Sequence, residues 1–104
     1  MKHYALIFRS TRALTAEELK QRSVDIAAWV KRVTDMGITL DPRNFEEMVA
    51  AFSTEGGEVV PHRESPDPAL STIVFFDSPD REQTANIARI HPGLRYGVRG
   101  EVRE

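Results

Sequence analysis

A long helical pattern directly after an alternating N-terminal segment constrains this chain most. Residues 2–9 carry apolar side chains on both faces of an extended backbone, which is typical of a central strand. Thr15, with Glu18 three residues later, forms the signature of a capping box at a helix start. Six apolar residues then recur at helical spacing, namely Leu19, Ile26, Trp29, Val30, Val33 and Met36. We therefore predict a first strand followed by a long helix that ends at Gly37.

Proline limits the regular structure of two further segments, residues 38–40 and residues 61–68. The first of these segments resembles a short strand that Asp41 and Pro42 break, because proline cannot donate to a sheet ladder. The second contains three prolines and predicts a surface loop.

Paired glycines at positions 56 and 57 favour a β-hairpin in the middle of the chain. Residues 49–52 and 58–60 flank the glycines, which permit the positive φ angles of a tight turn. Residues 44–52 would also suit a short helix capped by Asn44, so this segment has two alternatives.

The C-terminal half repeats the order of strand, helix and strand. Residues 71–76 are β-branched and aromatic and predict a strand buried on both faces. Ser78 suits the N-cap of a second helix, with Pro79 at the first helical position. Residues 91–93, His-Pro-Gly, end that helix, and the alternation over residues 94–103 predicts a last strand.

This element order predicts an α+β fold with the split βαβ arrangement of ferredoxin-like domains. We expect an antiparallel sheet, with both helices on one face, in a single domain over residues 1–104. The other face also carries apolar residues, and we expect a homodimer to bury it.

Composition supports one globular domain and excludes several classes of function. The chain has 104 residues, of which 40% are hydrophobic and 29% charged, as in folded domains. Its formal net charge of −2 does not favour a nucleic-acid partner. No apolar run reaches the length of a signal peptide core or a membrane span, so we expect a cytoplasmic protein without a membrane partner. The absence of cysteine excludes thiol chemistry.

Several segments resemble a known family. They are residues 2–9, residues 14–18 at the helix start, Trp29 eight residues before a glycine, residues 88–97 and residues 100–103. In these segments the chain is similar to the YCII-related proteins, including the branch named for an Asp-Gly-Pro-Phe motif. The resemblance implies a dimeric α/β barrel with a pocket at or near the dimer cleft. It also implies a possible acid/base pair, because one characterised relative is a dehydrochlorinase for which a histidine and an aspartate are proposed to act together.

Two features depart from that family. Residues 61–66 read Pro-His-Arg-Glu-Ser-Pro where the branch motif is expected. The founding branch has a histidine on its first helix and an aspartate before a proline at the end of its second. The corresponding positions here hold Asp25 or Ile26, and His91 before Pro92. Asp25 and His91 could therefore represent a reciprocal exchange of the pair.

His91 and Asp25 are the candidate catalytic residues. An imidazole near its ordinary pKa exchanges protons around neutral pH, and Asp25 could orient it or receive the proton. The alternative for His91 is a charged histidine that stabilises the end of the second helix. The alternative for Asp25 is a local salt bridge with Arg22.

Five further residues are candidate ligand contacts. His3 and Arg9 share one face of the first strand and could bind an anion if that face lined the cleft. Trp29 and Tyr96 could line the cleft, although core packing also explains both. His62 could belong to a lid or to a plain surface loop.

No sequence pattern points to a cofactor or a metal. The three histidines lack metal-ligand spacing, and no phosphate-binding or dinucleotide motif is present. The leading hypothesis is a protein that binds a small organic molecule near the dimer cleft, where a cofactor-free acid/base reaction of the elimination type would suit the candidate pair. The alternative is a non-catalytic module that senses a ligand or binds a partner protein.

Overall fold

The computed structural model describes residues 1–45, 49–62 and 69–104, and the elements below lie within those ranges. The strands are β1 (Lys2–Ser10), β2 (Asp41–Asn44), β3 (Ala51–Glu55), β4 (Glu58–His62), β5 (Ala69–Ser78) and β6 (Val98–Arg103). The helices are α1 (Ala16–Asp35) and α2 (Arg81–Arg89), and a 3₁₀ helix spans Pro92–Arg95.

Four strands form one antiparallel sheet in the order β2-β5-β1-β6. β1 is central and pairs with β5 on one side and β6 on the other. β2 pairs with the far side of β5. The predicted α+β class is confirmed, and this strand order is compatible with a ferredoxin-like arrangement.

β3 and β4 form a separate two-stranded sheet, so the predicted hairpin is confirmed. Gly56 and Gly57 make its turn with φ angles of 58° and 82°, values that residues with a Cβ rarely adopt. The alternative of a short helix over residues 44–52 is not seen in its described part, because Phe45, Val49 and Ala50 are not helical and β3 begins at Ala51. Residues 46–48 lie outside the described ranges.

Two predictions around the proline-containing segments need correction. The strand after Gly37 lies at Asp41–Asn44 and not at residues 38–40, because Asp41–Asn44 pair with β5. Ile38 is buried in the core. Pro42 is tolerated because β2 is an edge strand that pairs on one side only. Residues 61 and 62 belong to β4 and not to a loop, while residues 63–68 lie outside the described ranges.

The start of α2 also differs from its prediction. Asp80 and not Ser78 is the N-cap, and its carboxylate accepts a 2.8 Å hydrogen bond from the N–H of Gln83. Ser78 is the last residue of β5 and is fully buried. Because Asp80 can reach the orphan donor in the first turn, the helix begins two residues later than Ser78 would imply.

The last strand is shorter than its alternating pattern predicts. Residues 94 and 95 belong to the 3₁₀ helix, and Tyr96 follows it, so Tyr96 is not part of the strand. The N–H of Tyr96 donates a 2.9 Å hydrogen bond to the carbonyl of Gly93, which holds this turn together. Gly97, with φ of 69°, then redirects the chain into β6.

The capping box at the start of α1 is confirmed. The hydroxyl of Thr15 accepts a 3.1 Å hydrogen bond from the N–H of Glu18, whose carboxylate accepts one of 3.2 Å from the N–H of Thr15. Two backbone donors at the helix start are satisfied in this way. Gly37, with φ of 85°, follows the C-cap of the helix.

The core lies on one face of the sheet. Its buried hydrophobic members are Tyr4, Leu6, Phe8, Trp29, Val33, Ile38, Val74, Phe76 and Ile87. The alternate residues of β1 in this set share a face, and both helices contribute to the same cluster. The indole N–H of Trp29 also donates a 3.1 Å hydrogen bond to the carbonyl of Ile87, which joins α1 to α2.

No helix of the described ranges covers the opposite face of the sheet. Ala5, Ile7 and Ile73 lie there half-buried, and 46% of Phe75 is exposed. Neither helix in the described ranges combines the length and the hydropathy that a membrane span requires.

Candidate functional site

A cleft of about 620 Å³ opens between α1 and the core-facing side of the sheet. This volume lies in the range of small-molecule sites. Phe8 and Val74 contribute from the sheet, and Ile26, Trp29 and Val30 contribute from α1. Ile26 and Val30, two members of the predicted apolar stripe, are partly exposed because this part of α1 faces the cleft.

His91 lies between α2 and the 3₁₀ helix and lines the cleft. Its imidazole is buried, with the ring centroid 4.2 Å from that of Phe8 and 4.5 Å from that of Trp29. Its Nδ1 accepts a 2.9 Å hydrogen bond from the N–H of Gly93. In the neutral ring this bond assigns the proton to Nε2.

Gly93 is required for this placement of the imidazole. A Cβ at position 93 would lie 2.9 Å from Nδ1 of His91, closer than real Cβ contacts allow. The absence of a side chain therefore lets the ring approach the backbone and accept its hydrogen bond.

The pKa of His91 is lowered to about 4, first by burial and then by the positive charge of Arg22. The imidazole is therefore uncharged at neutral pH. A charged histidine that stabilises the end of α2, which was the alternative interpretation, does not fit this environment.

Arg22 is a charged residue of the cleft that was not among the candidates predicted from the sequence. A salt bridge with Asp25 was the alternative prediction, but the Arg22 side chain lines the cleft, and its Nε is buried without a hydrogen-bond partner among the described residues. Residue 22 precedes Ile26 by four positions and Trp29 by seven, so it lies on the apolar face of α1. An arginine on an apolar face was the signal that could have identified it.

Asp25 is held by other partners. Its carboxylate accepts a 2.7 Å hydrogen bond from the hydroxyl of Tyr96 and a 2.9 Å bond from the amide of Gln21, and Arg95 lies 3.8 Å away. The Tyr96 bond, followed by the Gln21 bond and the charge of Arg95, lowers the pKa of Asp25. Asp25 lines a smaller groove of about 190 Å³ and not the cleft. The structure therefore does not bring Asp25 and His91 together as a hydrogen-bonded pair.

The other histidines and Arg9 lie away from the cleft. His3 bonds to Asp77, and Nε of Arg9 lies 3.6 Å from the carboxylate of Glu101, both on the uncovered face of the sheet. His62 ends β4 on the hairpin and contacts the hydroxyl of Ser53. These three candidates do not line the cleft, whereas Trp29 does while also belonging to the core.

The cleft provides polar groups suited to binding. Besides the imidazole and the guanidinium, Ser71 and Thr72 line it, and their hydroxyls donate to the carbonyl of Phe8 and to the side chain of Asn44 at 3.2 and 3.0 Å. Within the described residues, no three histidine, aspartate or glutamate side chains are grouped closely enough to hold a metal ion. Comparison with models of known protein families gave no match, and comparison with curated proteins gave no significant relative.

Proposed function

We propose that the protein binds a small organic molecule in the cleft between α1 and the sheet. The observation that carries this proposal is the partly apolar cleft of about 620 Å³, which is lined by Arg22 and by His91, whose ring lies beside that of Trp29. An apolar cavity with a few convergent polar groups is the usual form of a small-molecule site. The cleft lies within one chain on the helix-covered side, whereas a cavity near the dimer cleft was predicted from the sequence.

Binding without turnover is the function that this geometry supports best. His91 has no carboxylate partner among the described residues, and with a pKa of about 4 its imidazole is a weak base at neutral pH. Both properties favour a ligand-binding or ligand-sensing module.

A cofactor-free acid/base enzyme is the second candidate. It is supported by an imidazole that lines the cleft and is deprotonated at neutral pH, so that it could accept a proton from a bound substrate. Elimination is the reaction type suggested by the resemblance to the YCII-related proteins, which is itself a prediction.

The binding proposal can be tested with Trp29, the single tryptophan of the chain. A library of small organic molecules is screened for thermal stabilisation, and each hit is titrated while Trp29 fluorescence is followed. We expect hits that raise the melting temperature to change Trp29 emission as well. Val30→Glu, in the cleft wall, should weaken binding, whereas Val24→Glu, on the exposed side of the same helix, should not. Hits that bind both variants as tightly as the wild type would refute the proposed location.

An assay for chemical conversion of the bound compounds distinguishes the ligand-binding module from the acid/base enzyme. Each bound compound is incubated with the protein and analysed for products. Turnover that His91→Ala abolishes while the compound still binds would establish the enzyme. Binding of every hit without any product would favour the module.

We also propose that a second copy of the chain covers the uncovered face of the sheet. Ile7, Ile73 and Phe75 form an apolar centre on that face, and burial of such a patch would stabilise a dimer. The dimeric α/β barrel implied by the family resemblance would use the same face.

The hairpin gives a second reason to expect another copy. On one of its faces Phe52 is 67% and Val59 is 70% exposed, and an isolated two-stranded hairpin is marginal in water. The radius of gyration is 16.0 Å, against about 13 Å for a compact chain of this length. Contact with a second copy would cover surface that a single chain leaves open.

Sedimentation equilibrium tests the dimer. We expect the wild type to sediment at twice the chain mass of 11.8 kDa and Phe75→Lys to sediment at the chain mass. Val24→Lys introduces the same charge at an exposed position on α1 and should leave the dimer intact. A wild type that is monomeric at high concentration would overturn this part of the proposal.

A further inference from the structure

The charge distribution of the cleft selects the chemistry of its ligand. Among the described residues that line it, Arg22 is the one that carries a charge at neutral pH, and no aspartate or glutamate is among them. The described lining of the cleft therefore carries a net positive charge, although the whole chain has a formal net charge of −2.

The guanidinium of Arg22 contains a hydrogen-bond donor that has no acceptor among the described residues. Its Nε is buried, and it makes no hydrogen bond to another described residue. A buried donor without an acceptor is destabilising, and native structures rarely retain one without a function. The guanidinium presents donors in a planar fork that matches a carboxylate.

His91 supplies a second donor of the same kind. Because Nδ1 accepts the hydrogen bond from Gly93, the neutral ring carries its proton on Nε2, and that N–H has no acceptor among the described residues. The cleft thus contains a cationic donor and a neutral donor. Both are suited to the same anionic group.

Much of the remaining cleft wall is aromatic and aliphatic. The rings of Phe8, Trp29 and Phe45 line it together with Ile26 and Val30. A flat apolar body would bury its faces against these side chains while its charged end reached Arg22.

From these observations we infer that the cleft binds small aromatic carboxylates, with the carboxylate held by Arg22 and the N–H of His91 and the ring placed beside Trp29. This inference rests on the proposed binding function and names the ligand class for it. Arg22 determines specificity by its charge and planar geometry.

Benzoate and its neutral analogue benzamide test the inference. Both are titrated into the full-length protein while Trp29 fluorescence and melting temperature are followed. We expect benzoate to bind roughly tenfold or more tightly than benzamide, because hydrogen bonds between charged groups are the stronger ones. Arg22→Gln should remove this preference by weakening benzoate alone, and Arg22→Lys should restore part of it. Lys20→Gln removes a positive charge from an exposed position on the same helix and should leave both affinities unchanged.

Each outcome is decisive. Equal affinity for the two compounds, or benzoate affinity that Arg22→Gln leaves unchanged, would overturn the anion inference while the binding function stands. Absence of binding by either compound at millimolar concentration would also overturn it, and the library screen would then decide the proposed function separately. Circular dichroism of each variant verifies that the fold is intact.

Discussion

The hydroxyl of Tyr96 donates a 2.7 Å hydrogen bond to the carboxylate of Asp25, joining the turn after the 3₁₀ helix to the middle of α1. Asp25 lines the smaller groove, whereas Arg22, three residues earlier on the same helix, lines the cleft. With Asp25 held by Tyr96, Gln21 and Arg95, the neighbouring Arg22 has no acidic partner on its own helix.

Tyr96→Phe should raise the pKa of Asp25 towards its ordinary value, because the hydroxyl bond is the first cause of its lowering. A lowered carboxyl pKa contributes stability above the pKa of the unfolded chain, and this stability is lost as the pH falls through the folded pKa. The variant should therefore be less stable at neutral pH and show a weaker acid dependence. Carboxylate NMR titration and urea unfolding measure the two effects.

Tyr4→Phe is the matched control for that variant. The hydroxyl of Tyr4 is buried and has no hydrogen-bond partner among the described residues, so its removal deletes an unsatisfied polar group. We expect unchanged or higher stability, with a gain of up to about 1 kcal/mol. A loss in Tyr4→Phe as large as that in Tyr96→Phe would contradict the different environments of the two hydroxyls.

The buried imidazole of His91 should make stability depend on pH. Its folded pKa is about 4, below the reference value of 6.5, so the unfolded chain binds the proton more tightly. Stability is therefore complete above the unfolded pKa and falls as the pH decreases from there towards the folded pKa. Between about pH 7 and about pH 5 we expect a loss of about 1 to 2 kcal/mol in urea unfolding.

His91→Gln should remove that part of the pH dependence. His62→Gln, which changes an exposed histidine on the hairpin, should retain the wild-type profile. A wild-type chain with equal stability at both pH values would mean that the imidazole is not buried as the structure has it.

Arg22→Met should stabilise the ligand-free protein. Arginine and methionine have similar helix propensities, so the main change is removal of a buried donor without an acceptor from the apolar side of α1. We expect the free energy of unfolding to rise by about 1 kcal/mol, as is common where a binding residue is replaced. Arg32→Met, at an exposed position of the same helix, should change it by less than about 0.5 kcal/mol. A less stable Arg22→Met would indicate that the guanidinium is satisfied in the free protein.

Gly97→Ala should be more destabilising than Gly56→Ala. Both glycines have positive φ, 69° and 58°, so alanine strains the backbone at either position by about 1 kcal/mol. A Cβ at Gly97 would also lie 2.6 Å from Cγ of Arg12, whereas nothing lies within 4 Å of one at Gly56. We expect Gly97→Ala to cost about 2 to 3 kcal/mol in urea unfolding. Equal losses in the two variants would show that Arg12 moves aside freely.

Patterns carried by a few neighbouring residues were predictable from the sequence. The capping box of Thr15 and Glu18, the glycine turn of the hairpin and the order of the main elements all depend on local backbone and side-chain chemistry. The position of His91 at the end of α2 was predictable for the same reason.

The predictions from the sequence were wrong where a distant strand or loop determines the position of a strand or the partner of a side chain. β2 forms at Asp41–Asn44 because those residues pair with β5, although residues 38–40 have the more strand-like composition. Likewise, Arg22 was expected to pair with Asp25, three residues along the same helix.

By itself, the sequence determined the class of the fold, the ends of α1, the hairpin turn and the placement of an imidazole after α2. Only the tertiary structure decided that Asp25 bonds to Tyr96, 71 positions away, and that Arg22 and His91 line one cleft. The physical reason is that helix caps and turns are satisfied within a few residues. The partner of a charged side chain depends instead on which distant segments the packed core brings beside it.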